Sequence, residues 1–517
     1  MRFPGATHPG AARHLDRRGA IPATVAADIG RLKRGARAAC PPKPPAKAGS
    51  PPQLACFFVL LSALIAPAPI LAGADRPPNI LLILADDLGW NQVGYHGSTF
   101  YETPNIDRLA RRGIRFTDAY SAAPICSPTR AALMTGKYPA RLHLTDYIPG
   151  RLWEDKPLVT PRMQQGLPLA ERTLPERLKE RGYVTGLFGK WHLASDYEYK
   201  PHRPMDPETQ GFDMVFHTRK PEESDIKAGK ADAHNAVEIT DHAVDFIRTN
   251  RSRPFFCYVA HNVVHTPLGE EAALIEKYRR KPGSKLAENI PVMAAMIERM
   301  DRGIGRLLDT LAAERLEQNT LVVFASDNGN IAAQQDQVPF RGGKATLWEG
   351  GIRVPLAIHW PGLTRPGAVS HEPVITQDLF FTLCDAAGAP TGDLPADGMS
   401  LRQHLRTAAP LGREEIFWHY PHYHHLGDMR PASVVRAGRY KLIEWHEGAL
   451  LAHSPAVSLF DLVADPGENH ELAGEHREVA ERLHHRLRAW RKSVGAQEMT
   501  VRPESAATRP RSTAASR

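Results

Sequence analysis

The sequence predicts an α/β protein: a large domain on a buried, mostly parallel sheet, then a smaller antiparallel sheet with a helix packed on it. Two observations carry this. From about residue 78, short continuous apolar runs alternate with helical patterns, the rhythm of strands buried on both faces with helices between them. Around residues 400–412 that rhythm gives way to closely spaced strands and one final amphipathic helix. In order, strands are expected at Asn79–Leu84, Val184–Phe188, Phe255–Ala260, Leu321–Ala325 and Pro355–His359, with helices such as Leu174–Arg181 and Ala294–Leu311 between them. Beyond the change, Ser433–Trp445 reads as a hairpin and Leu459–Leu462 as a strand. Val479, Leu483, Leu487 and Trp490 share one helical face. The large domain is placed at residues 75–410 and the smaller at 411–495. Residues 496–517, rich in Ser, Ala and Arg, read as a disordered tail.

The formal charge of +8 belongs to the N-terminus. Residues 1–54 hold ten Lys/Arg against two Asp, so the rest is near neutral and no nucleic-acid-binding face is expected. That segment, rich in Ala, Pro, Gly and Arg, reads as a disordered leader or a mis-assigned start. Residues 55–74 are apolar, broken by Pro67 and Pro69, and end in Ala72-Gly73-Ala74. This is the pattern of a cleaved secretory signal peptide, with no stable membrane insertion afterwards and an extracytoplasmic (periplasmic or secreted) destination. Three cysteines follow: Cys126, Cys257 in an apolar strand and Cys384 in an apolar helix. The last two read as core residues, with no disulfide framework.

Four predicted strands are followed by charged or imidazole residues: Asp86-Asp87, then Lys190-Trp191-His192, then His261 to His265, then Asp327-Asn328. Open α/β sheets bind ligands at the carboxyl ends of their strands. Each residue alone has a structural reading, as a cap or a surface side chain. Four strands delivering them to one edge point to a site. Beside them stands Cys126-Ser-Pro-Thr-Arg130, leading through Ala-Ala-Leu-Met-Thr to Gly136. Pro128 suits the first position of a helix and Gly136 a left-handed cap, which puts Cys126 at a helix N-terminus, where anions are favoured.

The C-x-P-x-R run resembles the signature of the formylglycine-dependent type I sulfatases, and the motifs match that family in order over roughly residues 78–475. The resemblance implies the alkaline-phosphatase-like fold, a large mixed, mostly parallel sheet sandwiched by helices. It also implies that a formylglycine-generating enzyme oxidises Cys126 to Cα-formylglycine. Asp86, Asp87, Asp327 and Asn328, with residue 126, correspond to the metal ligands. This all-oxygen set suits one hard divalent cation, Ca²⁺ rather than zinc. Lys190 and Lys344, the latter in Gly342-Gly-Lys-Ala-Thr-Leu-Trp-Glu-Gly-Gly351, match the sulfate-holding lysines. His192 and His265 match the acid–base histidines, and Arg130 supports the nucleophile. His265 is preferred over His261 because it precedes Thr-Pro. Ala194 departs from the family's glycine and puts the local backbone in question.

These roles imply hydrolysis of a sulfate monoester through a covalent sulfo-enzyme. The hydrated aldehyde has a second hydroxyl whose deprotonation expels sulfate, which a serine lacks. The expected substrate is a sulfated saccharide, with aryl sulfates also cleaved. The ring-rich run Phe417–His425 reads equally as sugar platform or buried strand, and Asp146, Tyr147, Arg151 and Trp153 are candidates to shape the pocket. Two alternatives remain at this stage. One is a phosphonate monoester or phosphodiester hydrolase of the same superfamily. The other is a non-catalytic sulfoglycan-binding protein with unmodified Cys126.

Overall fold

The first strand sets the layout. β1 (Asn79–Ala85) is buried at every residue, and its side chains alternate between two cores as strand geometry requires. Ile80, Leu82 and Leu84 enter one core, and Leu81, Ile83 and Ala85 the other. The structure, a computed structural model, describes residues 76–331, 338–426, 430–451 and 455–503. The leader and the signal-peptide segment lie outside these residues.

Seven more strands join β1: β2 (Ile114–Phe116), β3 (Val184–Gly189), β4 (Met214–His217), β5 (Phe255–Ala260), β6 (Thr320–Ser326), β7 (Leu356–His359) and β8 (Ala368–Ser370). They form an eight-stranded sheet in the order β8–β2–β7–β6–β1–β5–β3–β4. β1 runs parallel to β5 and β6, and β3 parallel to β5 and β4. Only β7 is antiparallel to its neighbours, β6 and β2, so the sheet is mixed and mostly parallel. Helices α1 (Pro104–Arg112), α3 (Ala236–Thr249) and α4 (Pro291–Ala313) cover one face. α2 (Cys126–Thr135) and α5 (Thr376–Ala387) cover the other. Cys257 and Cys384 are buried free thiols in the strand and helix expected of them.

The smaller sheet is an antiparallel meander of β9 (Glu415–Tyr420), β10 (Ala432–Ala437), β11 (Tyr440–Trp445) and β12 (Val457–Asp461). α6 (Arg477–Val494) packs on it through Leu483, Leu487 and Trp490. The same core includes Ile125 and Leu347 of the larger part, and the Trp418 indole donates to the Ser121 carbonyl at 2.8 Å. The meander therefore buttresses the approach to the signature helix.

One expectation needs correction. Residues 496–503 are not part of a disordered tail. Met499 is buried, Thr500–Val501 pair with Leu158–Val159, and the Arg502 guanidinium donates to the carbonyls of Lys156 and Trp153. Composition concealed this because only two residues pair, too few for an alternating pattern to show.

Candidate active site

Because β3, β5, β1 and β6 are adjacent and parallel, their carboxyl ends share one edge. β1 is followed by Asp86 and Asp87, β3 by Lys190, β5 by His261, and β6 by Asp327 and Asn328. β3 ends on Gly189 at φ +116°, where a Cβ would lie 1.9 Å from the Ala260 carbonyl oxygen, so glycine is required where Lys190 leaves the sheet. Cys126 opens α2, and Gly136 closes it in the left-handed conformation (φ +71°). Pro128 falls third in the helix rather than first. Its missing N–H is still one of the four without an intrahelical partner.

These side chains converge. Ligand atoms of Asp86, Asp87, Cys126 and Asp327 all lie within 4.8 Å of one another. The Cys126 Sγ is 3.3 Å from Asp86 Oδ1 and 3.5 Å from Lys344 Nζ. Lys190 Nζ donates to Asp86 at 2.8 Å and Lys344 Nζ to Asp87 at 2.7 Å. Arg130 donates through Nε and Nη2 to Asp327 (2.9 and 2.7 Å) and through Nη1 to the Lys190 carbonyl (3.0 Å). All of these residues are buried.

His265 and His192 flank the cluster. His265 Nε2 is 3.8 Å from Asp87, while Nδ1 lies 2.6 Å from the Thr266 carbonyl. His192 Nε2 meets the Ile148 carbonyl at 3.0 Å, so its proton sits there. Nδ1 is left as a buried acceptor without a partner. His192 takes φ +55° and its N–H donates to Asp196 Oδ1 at 2.8 Å. Ala194 is buried outside the left-handed region, so the glycine-to-alanine departure costs nothing there. His261 is fully buried with neither ring nitrogen bonded. It does not line the cavity that His265 lines.

Burial dominates the electrostatics. It pushes Asp86 up, but Lys190, His265, Arg130 and Lys344 together hold this carboxyl well below the usual range. Asp327 goes the other way, to about 6, through burial and the Asp86 charge. Burial and Asp327 push the Cys126 thiol up, which disfavours a thiolate. Lys190 is raised to about 12, its neighbours Asp86 and Cys126 outweighing burial. Burial and Lys190 lower His192 to about 4, and burial and Lys344 lower His265 to about 3.

The donor set fits a hard cation. Three carboxylates converge, and the buried Asn328 Oδ1 has no hydrogen-bond partner, while its Nδ2 is spent on Asp87 and Gly329. A buried amide oxygen without a partner, on a residue that already touches the carboxylate cluster, is a group that an oxygen-preferring ion would satisfy.

A cavity of about 350 Å³ is lined by Cys126, Lys190, His192, His265 and Lys344, and the three carboxylates lie behind Cys126 and the two lysines. Tyr147, His424 and His425 line it too, whereas Phe417, Trp418 and Tyr420 of the same ring-rich run are core. Sequence reasoning missed Asp196, Tyr197, Arg219 and Lys220, which also line it. Asp196 lies four residues after His192 and was within reach of the motif. The other three carry no pattern.

Fold and site together define a hydrolase of anionic esters, and comparison with known proteins narrows this. The sulfatase family model matches residues 78–389, and the model for the N-sulphoglucosamine sulphohydrolase C-terminal region matches 343–493. Human (Homo sapiens) arylsulfatase A is 33% identical over 80% of this chain and 86% of its own length. A sulfatase from Formosa agariphila is 31% identical over 85% and 93%. Among solved structures, Ps i-CgsB in complex with k-i-k-neocarrahexaose superposes with a TM-score of 0.67 at 28% identity, covering 80% of this chain and 93% of that one. The chain belongs to the sulfatase family, the enzymes that hydrolyse sulfate esters.

Proposed function

We propose that this sulfatase removes sulfate from a saccharide outside the cytoplasm, using a formylglycine made from Cys126. The observation that carries this is the meeting of Cys126 with Asp86, Asp87, Asp327, Lys190 and Lys344, with Cys126 and both lysines lining one cavity. The thiol's raised pKa accords with a cysteine that serves as precursor rather than as thiolate. A divalent cation, Ca²⁺ by the hardness of its donors, would be held by Asp86, Asp87, Asp327, Asn328 and residue 126, and would supply positive charge beside the sulfate.

The chain's own groups divide the remaining work. Lys190 and Lys344 bind the sulfate oxygens and stabilise charge as it redistributes. Arg130, paired with Asp327, holds positive charge against the helix N-terminus that carries residue 126. One hydroxyl of the hydrated aldehyde attacks sulfur, and His265 gives the leaving alcohol its proton through Nε2. The substrate's negative charge opposes the Lys344 effect that lowers this histidine. His192, through the unpartnered Nδ1, takes the proton of the second hydroxyl, and the aldehyde re-forms as sulfate leaves.

A saccharide substrate is supported by the oligosaccharide in the Ps i-CgsB complex. Export rests on the apolar segment 55–74 and its Ala72-Gly73-Ala74 end, read as a signal peptide; among the described residues no helix is long and apolar enough to cross a membrane. The division at 75–410 and 411–495 is proposed on the separation of the eight-stranded sheet from the antiparallel meander.

Mass spectrometry of the peptide containing residue 126, from protein matured in a host with the modifying enzyme, tests the precursor role. Formylglycine is expected, with 4-nitrophenyl sulfate hydrolysed far faster than a phenylphosphonate ester. Unmodified cysteine in an active enzyme overturns the mechanism, and a preference for the phosphonate overturns the substrate class.

A further inference from the structure

A second cavity, of about 260 Å³, adjoins the first, and Pro149 lines both. The chain between them divides its side chains. Tyr147 and Ile148 line the first cavity, and Asp146 and Arg151 the second. This volume is below the about 300–1,000 Å³ of a self-sufficient ligand pocket, and suits an extension of the first.

The rim of the second cavity is cationic. Arg151 and Arg162 line it and are exposed, and among the described residues neither has a carboxylate partner. Other guanidiniums of this region are spoken for, Arg141 by Asp397 and Arg203 by Asp206. Arg151 is held in place, its guanidinium carbon 4.0 Å from the centre of the Trp153 ring. The Arg162 carbonyl accepts from the Gln497 side chain at 2.9 Å. Both segments are therefore pinned, partly by the C-terminal residues that composition had marked as a tail.

The floor is polar and closed on itself. Asp146 Oδ1 accepts from the Tyr420 hydroxyl and the Tyr147 N–H, both at 2.9 Å. Its other oxygen is 4.0 Å from His422 Nδ1, and His422 Nε2 meets Thr145 Oγ1 at 2.7 Å. Burial pushes Asp146 up to about 7 and His422 down to about 3. An anion held at the rim thus faces a floor that carries little opposing charge.

We infer that this cavity is a second subsite, in which Arg151 and Arg162 hold the negatively charged group of the sugar unit next to the one desulfated at Cys126. The inference rests on the sulfatase reading above and deepens it: the preferred substrate is an oligosaccharide with anionic groups on adjacent units. Two unpaired guanidiniums beside a polar hollow, continuous with the reacting site, match sulfate or carboxylate by paired N–H donation.

The test uses the full chain with residue 126 matured, as wild type and as Arg151→Ala/Arg162→Ala. Carrageenan tetrasaccharides with one or two sulfates are the probes, beside 4-nitrophenyl sulfate. For the double variant, kcat/KM on the aryl sulfate is expected to stay within about twofold. Its KM for the doubly sulfated probe should rise about tenfold, and Arg→Lys at both positions should restore only part. Calorimetric titration into Cys126→Ala protein, with and without the arginine changes, reads binding without turnover. Loss of sulfate release from every ester by matured wild type would sink the sulfatase reading and leave this binding arm interpretable. Equal affinity for singly and doubly sulfated probes, no binding of either, or binding untouched by the arginine changes overturns the subsite.

Discussion

Two clusters of buried charge, built from the same side-chain types, have opposite characters. At the strand edge, Asp86, Asp87 and Asp327 face Lys190, Lys344 and Arg130, and the group opens on a cavity with Asn328 Oδ1 and His192 Nδ1 unpartnered. In the other cluster, Lys441 Nζ lies 2.9 Å from Glu349 and 2.8 Å from Glu468, all three fully buried. Tyr120 donates to Glu349 at 2.7 Å, and the Glu349 N–H donates to Glu468, also at 2.7 Å. Glu349, Lys441 and Glu468 line neither of the two cavities described above, and they join β11 to the segment carrying Lys344. Glu349 is five residues beyond that lysine. Buried charge alone is therefore no mark of chemistry. Glu468 Oε1 also lacks a hydrogen-bond partner beyond its ion pair with Lys441, so access separates the two clusters: a network shut away from these cavities locks a loop, and one that opens on a cavity receives a ligand.

Breaking the closed cluster should have the largest effect. Lys441→Met leaves two buried carboxylates without their shared cation. Burial raises both, and only Glu349, which also faces Arg353 and Arg436, is held low at about 2, whereas Glu468 already sits at about 7. The expected cost is about 3–5 kcal/mol in urea-induced unfolding, and adding Glu468→Gln should recover part of it. A loss below about 1 kcal/mol would erase the difference between the two clusters. Lys344→Ala comes next and should show in turnover first: kcat/KM for 4-nitrophenyl sulfate falls by about 10²–10³, while the urea midpoint moves less than in Lys441→Met. Equal stability losses in the two variants would make Lys344 a structural lysine.

The same contrast explains what was legible in the sequence. The strand-edge cluster showed because parallel strands end in register, so each contributes residues just after an apolar run, and Cys126 to Arg130 is contiguous. Lys441 and Glu468 had no such signal. They come from a hairpin and a loop brought together only by the packing of the meander, and a lysine inside Tyr440–Trp445 reads as the polar face of a strand. Arg219 and Lys220 were missed for the same reason, reaching the cavity from the loop after β4. β2 and β8, with three residues each, were too short for periodicity to show, and β4, with four, is only partly buried, whereas the equally short β7 was legible because it is a mostly buried apolar run.

Asp146 sharpens the comparison through pH. Its carboxyl is buried against Tyr420, the Tyr147 N–H and His422, with no cation paired to it, and burial raises it from 3.8 to about 7. The folded state holds this proton more tightly than the unfolded chain does. The stability it contributes is therefore full below about pH 4 and is lost as pH rises towards 7, by up to about 1.4 kcal/mol per pH unit. In Asp146→Asn, urea unfolding between pH 5 and 8 should lose this downward slope relative to wild type. Parallel slopes in the two proteins would mean that Asp146 is ionised throughout.

The smallest effect is expected at a pair whose geometry rivals the buried ones. Arg108 Nη1 and Asp309 Oδ1 lie 2.8 Å apart between α1 and α4, the separation of Lys441 and Glu468, but the aspartate side chain is 69% exposed. Water and salt screen it, and the long arginine loses freedom to hold the contact, so such a pair contributes about 0–1 kcal/mol. Asp309→Ala also removes a weak helix former from α4, for a gain of a few tenths of a kcal/mol at roughly the alanine end of the propensity scale. The two terms nearly cancel. Urea midpoints for wild type and Asp309→Ala should agree closely in both low and high salt. A loss near that of Lys441→Met would show that distance, rather than burial and closure, sets the strength of these pairs.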